Sequence, residues 1–361
     1  MYVSACKFTN KREKKQGKES FSFAVHTLIR IFVVDMKARN HTFDLLCGIC
    51  MVGFIVAIVT DHCKMHDAAW ATEMRWWTYL AVGLFYFKAG YYCPPADEPL
   101  MPLLLRKARR LLVPYVVWSM VGMVLYFAFL YFFPEALHDY RESISWRQAW
   151  ETGQWYGNPV LWVLPSLFLS SVIGMGLVRL HGASIAAVLL PAVSWWLASV
   201  GNPLWLGLGN VFVGTFLYVL GHWWAWAERR LEPTIFMLLS TALVFAALTS
   251  NWLLHGEYTM AENLWTGCAP ASIANASLAL CGLTGMLHSV ITRPIPMLGF
   301  VGRHSMTFLV LPYPMITYYN FVHLIGKRTM TGHWNDFIAA SLLTVCLCSW
   351  LAKTTSAKPK P

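Results

Sequence analysis

The chemistry in this chain is carried by a few polar side chains set among apolar runs. Arg106, Lys107, Arg109 and Arg110 come just ahead of Leu111-Leu112-Val113-Pro114-Tyr115. Guanidinium forks grip phosphates bidentately. Arg106 with Arg109, and Lys107 with Arg110, are three residues apart, so on a helix each pair could share one phosphate group. That reading is a clamp for an anionic cosubstrate. The plainer reading is an anchor at the lipid headgroups, and the pattern alone favours it. His62 closes the first long apolar run. Its imidazole titrates near neutral pH and suits a general base, although a lone histidine there is more often an interfacial polar residue. Asp61 is its chain neighbour, about 100° round a helix, and is poorly placed to orient it. His62, Cys63 and His66 lack a second well-spaced cluster, so no metal is expected.

Lys88 lies in Phe87-Lys88-Ala89-Gly90-Tyr91 and Arg303 in Gly302-Arg303-His304-Ser305. Charges inside apolar runs are costly and should face a protein interior. Lys88 is near enough to a run's end to snorkel instead. Asp44 opens the first run and could neutralise one of these cations. Trp162 is an aromatic-belt residue by position, or a flat platform for a sugar.

The elements that must position these groups follow from composition. Of 361 residues, 57% are hydrophobic and only 13% charged, with 18 Trp, 21 Phe and 15 Tyr. A soluble domain carries about 25% charged residues. The chain is therefore read as all-α, a polytopic transmembrane helix bundle. Apolar runs near 44–60, 76–92, 111–133, 160–180, 183–199, 203–222, 234–253, 272–290, 297–318 and 336–352 give about ten spans. The net charge of +10 is read as topology-holding loops rather than a nucleic-acid surface. With the N-terminus in the cytosol, 20 Lys and Arg fall in cytosolic segments and 6 in external loops. Both termini are expected in the cytosol, the membrane being a bacterial inner membrane. Residues 1–35 read as a disordered basic extension with Met36 as an alternative start, 36–353 as one transmembrane domain, and 354–361 as a polar tail. The nine cysteines are irregularly spaced. Cys47 and Cys50 form a C-x-x-C inside an apolar run, where Cys behaves as a small hydrophobe.

Taken in order, these segments resemble a known family. Asp44-Leu-Leu-Cys-Gly opens a helix that ends in a His. Phe85-Tyr-Phe-Lys-Ala-Gly-Tyr follows, then the basic cluster with Leu-Leu-Val-Pro-Tyr. Leu161-Trp-Val-Leu-Pro-Ser-Leu-Phe-Leu and Leu298-Gly-Phe-Val-Gly-Arg-His-Ser-Met-Thr complete the set. The pattern, over residues 40–350, is similar to the integral-membrane acyltransferase family 3, the polysaccharide O-acetyltransferases. The resemblance implies an acyl group, often acetyl, taken from cytosolic acyl-CoA to a hydroxyl of a cell-surface glycan or related acceptor. Acyl-CoA is then a cosubstrate and no bound cofactor is expected. The family's basic pair falls on Lys107 and Arg110, with Arg106 and Arg109 as the other assignment, and its role would be to bind the CoA phosphates. Lys88 and Arg303 would assist or face the developing oxyanion, and Asp44 and Trp162 would meet substrate. Three positions depart from the family: Cys47 stands where an Arg is usual, Ile58 where the first-helix His is usual, and Pro312 where a later His is often found. His62 is one turn beyond Ile58 on the same face, about 6 Å further out.

Asp44 and His62 are 18 residues apart, about 27 Å along a helix, so they cannot touch. The gap resembles the span that an extended CoA must cover from a cytosolic phosphate clamp to an acceptor at the outer face. Two other readings stay open. A transporter would also use buried charges and Pro-interrupted segments, and would move solute in vesicles without acyl-CoA. A catalytically silent homologue would bind in glycan assembly and release no CoA.

Overall fold

The computed structural model describes residues 41–63, 81–132, 146–180, 183–201, 204, 208–254, 256–261, 263–291, 293, 295–325 and 334–356. Residues 1–35, His66, most of the C-terminal tail and the side chains of Asp61 and His62 lie outside the described residues.

The described chain is almost entirely helical. Helix α1 (His41–His62) is followed by α2 (81–91), α3 (Leu100–Phe132) and the short α4 (Trp146–Thr152). A 3₁₀ turn (Pro159–Trp162) leads into α5 (Val163–Arg179), and a second (Ala183–Leu189) into α6 (Leu190–Ser199). Next come α7 (Asn210–Arg230), α8 (Pro233–Leu253) and α9 (Ala269–Val290). The last are α10 (Pro296–Arg303), α11 (Ser305–Val310), α12 (Pro312–Ile325) and α13 (Trp334–Ser356).

Each expected span overlaps helix. Among the described residues, six helices are individually long and apolar enough to cross a membrane: those within His41–Thr60, Leu100–Phe132, Pro159–Arg179, Pro233–Leu253, Pro270–Val290 and Asn335–Thr354. The other expected spans fall short for separate reasons. The described part of α2 covers only 81–91, and α6 is ten residues long. Helix α7 carries His222 and ends in Glu228-Arg229-Arg230. The ninth expected span is broken into α10, α11 and α12.

The second of these breaks, at Leu311, has a local cause. Pro312 and Pro314 have no N–H, so the carbonyls four residues earlier lose their helical donors. Val310 is one of them. Asn158, fully buried, donates its Nδ2–H to the Val310 carbonyl at 2.8 Å. A side chain from the segment ahead of α5 thus completes the backbone of a distant helix. Asn158→Leu should lower stability by about 1–3 kcal/mol, since the buried carbonyl would lose its donor. The measurement is thermal unfolding in detergent, and an unchanged midpoint would remove Asn158 from this role.

Helix packing is set by small residues, as expected where hydrocarbon supplies no hydrophobic drive between helices. A Cβ on Gly302 would strike the Asp44 carbonyl, and one on Gly48 the Leu298 carbonyl, so α10 lies backbone to backbone on α1. Gly90 and Gly221 do the same for α2 and α7.

A strand pair, β1 (Gly256–Thr259) and β2 (Leu264–Gly267), joins α8 to α9 as an antiparallel hairpin. Asn263, with φ of 51°, ties it to the bundle. Its Oδ1 accepts from Ser194, Tyr258 and Trp265, and its Nδ2 donates to the Ser194 carbonyl. Deeper in, Tyr86 donates to Ser166, Ser166 to Asn210, and Asn210 to the Met260 carbonyl. In lipid an unmatched polar group is expensive, so this chain of matched pairs fixes α2, α5, α7 and the hairpin relative to one another.

Candidate active site

Helix α3 is 33 residues long, about 50 Å at 1.5 Å per residue, well beyond the roughly 30 Å of a hydrocarbon core. The sequence places a span at 111–133, but the helix begins at Leu100. The basic cluster is therefore helical. Its four cations point in different directions. Arg106 is exposed and pairs with Glu98 at 2.9 Å. Arg109 and Arg110 are exposed. Lys107 turns inward, its Nζ 5.4 Å from the Tyr218 ring centroid. Of the two pairs with one-turn spacing, only Arg106 and Arg109 both stand on the open surface. Arg179, which the sequence reading did not single out, donates to the Glu98 carbonyl at 2.8 Å and the Pro95 carbonyl at 3.4 Å. It holds the loop that carries the partner of Arg106.

The first turns of α1 gather the remaining charges. Asp44 is buried, and its carbonyl lies against Gly302. Arg303 follows at the exposed end of α10. Lys88 reaches sideways from α2 to α1, where its Nζ donates to Cys47 Sγ at 3.4 Å and lies 6.0 Å from the Phe43 ring centroid. A thiol is a weak acceptor, so this contact satisfies only part of an ammonium with three donors. The Lys88 charge thus sits at Cys47, the α1 position where the resemblance implies an arginine. Cys47 and Cys50 are both buried free thiols. Lys88, Arg303 and the α3 cluster accordingly share one end of the bundle.

Two further groups at this end were missed. His304 sits at the α10–α11 break, its Nδ1 2.9 Å from the Phe300 carbonyl. A carbonyl only accepts, so Nδ1 carries the proton and Nε2 keeps its lone pair in the neutral ring. The motif around Arg303 contains this histidine, but nothing in its spacing marks it. Glu228 accepts from the Tyr91 hydroxyl and lies 3.0 Å from His288 Nε2. A lone carboxylate closing an apolar run was the available signal. It was hidden by Arg229 and Arg230, which read as loop charge.

Towards the other end, α1 runs to His62, whose backbone closes the helix. The segment before α5 folds against the middle of α3. Trp155 Nε1 donates to the Tyr115 hydroxyl at 2.5 Å, and Gly157, with φ of 78°, packs on Gly122. A side chain at Gly157 would both strain that backbone and strike the α3 carbonyl. Tyr156 stacks on Tyr126 with centroids 5.0 Å apart. Trp162 lies in this joint and is only 7% exposed, packed in the core rather than offering an open face among the described residues.

This is a helical membrane bundle with cations gathered at one end. Over residues 40–353, the chain matches the family described as acyltransferase domain, acyltransferase family 3. The chain belongs to this family. No curated protein and no solved structure matches it. Membership makes the protein a membrane acyltransferase, and the motifs from Asp44 to Thr307 all lie within the matched residues.

Proposed function

We propose that this acyltransferase moves an acyl group, in the first instance acetyl, from acyl-CoA in the cytosol to a hydroxyl of a cell-surface glycan or a related acceptor. The observation that carries the reading is the gathering of Arg106, Arg109, Arg110, Lys88 and Arg303 at one end of a bundle whose first helix runs unbroken to His62. A phosphorylated cosubstrate explains cations at one end, and an acceptor at the opposite face explains a base at the other end of α1, about 27 Å from Asp44. The protein would lie in a bacterial inner membrane with both termini in the cytosol.

In this reading Arg106 and Arg109 grip the CoA phosphates, with Arg303 and Lys88 deeper along the donor's path. The pantetheine arm runs beside α1 towards His62. The His62 imidazole takes the proton of the acceptor hydroxyl as its oxygen attacks the thioester carbonyl. The new C–O bond forms, the C–S bond breaks, and the CoA sulfur leaves as a thiolate that recovers the proton. Asp44 and Trp162 act from buried positions, holding α10 and the α3–α5 joint in place.

The test compares the ester content of surface glycans by mass spectrometry in three strains: one lacking the protein, one complemented with wild type, and one complemented with His62→Ala. An ester that disappears, returns with wild type and stays absent with well-expressed His62→Ala supports the proposal. No difference between strains on several growth media overturns it in favour of a transporter or a silent homologue.

A further inference from the structure

At the basic end of the bundle, the ends of α2, α7 and α9 and the start of α8 enclose a cavity of about 950 Å³. Its polar wall is Glu228, Arg229, His288 and Tyr91. An ionised carboxylate has about four acceptor sites. Glu228 receives Tyr91 and His288, which leaves it room for another donor. Arg229 donates Nε to the Ala225 carbonyl at 2.8 Å, one of the five N–H groups on its guanidinium. The cavity thus presents a carboxylate and a guanidinium side by side, a pattern that matches a zwitterion rather than a simple anion.

Helices α6, α7, α8 and α9 line a second space of about 770 Å³. Its walls are apolar, formed by side chains such as Phe216 and Leu220 of α7, Leu243 of α8 and Ile273 of α9. Both volumes fall in the range of about 300–1,000 Å³ usual for small-molecule sites. Val188 and Trp195 at its rim are more than half exposed, so it opens on the apolar surface that faces lipid. The two spaces meet at one ring pair, Phe236 lining the first and Trp224 the second, with centroids 4.9 Å apart. Trp224 is 7% exposed, and its Nε1–H has no hydrogen-bond partner among the described residues. Buried donors are rarely left unmatched, and this one stands at the junction where an amphiphile would turn from polar head to apolar chain.

We propose that the cavity and the groove form one binding site for a phospholipid with an ethanolamine headgroup, its ammonium on Glu228, its phosphate on Arg229, and a hydrocarbon chain along the groove past Trp224. The choice of headgroup follows from the donors. Ethanolamine brings N–H groups that an open carboxylate can accept. Choline has a cation without N–H, and a glycerol headgroup leaves the phosphate beside Glu228 with no cation of its own. The proposal is independent of what the enzyme acylates.

Native mass spectrometry of the full chain, exchanged into nanodiscs of chain-matched phosphatidylethanolamine, phosphatidylcholine or phosphatidylglycerol, tests it. One phosphatidylethanolamine should stay bound per chain, preferred at least about tenfold over the other two in mixed nanodiscs, a free-energy difference of about 1.4 kcal/mol. Glu228→Gln keeps the size and one acceptor, and should bring the preference over phosphatidylglycerol close to unity. Equal retention of the three lipids by wild type overturns the proposal without any variant. So does a folded Glu228→Gln protein that keeps the preference.

Discussion

Replacing His62 by alanine is expected to lower turnover of acetyl transfer by about 10²–10⁴-fold, the usual worth of a general base. The affinity for acetyl-CoA should stay nearly unchanged, because the cations proposed to bind its phosphates gather at the other end of α1, where Asp44 is about 27 Å from His62. A hydroxyl acceptor is a poor nucleophile at neutral pH, so removing the base should be read in turnover rather than in binding. The informative comparison is His304→Ala. It is a histidine at the opposite end of the bundle, beside Arg303, with Nδ1 on the Phe300 carbonyl. If His304→Ala abolishes turnover and His62→Ala does not, the chemistry takes place at the basic end, and the acceptor must come to the donor. If only His62→Ala is inactive, the donor's thioester travels the length of α1. Turnover of a purified, detergent-solubilised protein with acetyl-CoA and a model glycan separates these outcomes.

The helices were legible because membrane burial writes long apolar runs, and no soluble core imposes a competing pattern. What the sequence hid was how runs are interrupted and where polar side chains reach. Residues 297–318 read as one apolar run, yet His304 and the two prolines divide it, and its backbone is completed by Asn158 from a segment over 140 residues earlier. The start of α3 was misplaced by about ten residues because Arg106 to Arg110 looked like loop charge, whereas long basic helices can stand clear of the hydrocarbon. Hydropathy marks where a chain may cross, not where a helix begins. The candidate site divides the same way. That Lys88 and Arg303 belong at one end followed from their positions in their runs. That Lys88 meets Cys47 did not, since a contact between positions 41 residues apart depends on how α1 and α2 pair. Glu228 was lost to its basic neighbours, although its carboxylate meets Tyr91 and His288 from other helices.

The basic cluster gives the second large effect. Arg106→Gln with Arg109→Gln should raise the KM for acetyl-CoA by about 10²–10⁴-fold. Each removed arginine forfeits charge-assisted hydrogen bonds to phosphate worth about 1.5–3 kcal/mol, and 1.4 kcal/mol is tenfold. Turnover at saturating donor should change far less, because in the proposed reading these side chains hold the phosphates throughout the reaction. Acetyl-pantetheine, which lacks the nucleotide phosphates, supplies the control: its KM should be indifferent to both substitutions. Lys107→Met should behave oppositely. Lys107 lies over the Tyr218 ring with much of its stem packed inside, so a long apolar side chain should alter the melting temperature more than donor affinity. The family resemblance pairs Lys107 with Arg110. Geometry puts the open pair at Arg106 and Arg109. A KM for acetyl-CoA that rises with Lys107→Met and is untouched by the double arginine change would mean that the donor inserts beneath α3 against Tyr218, and the surface clamp would have to be abandoned.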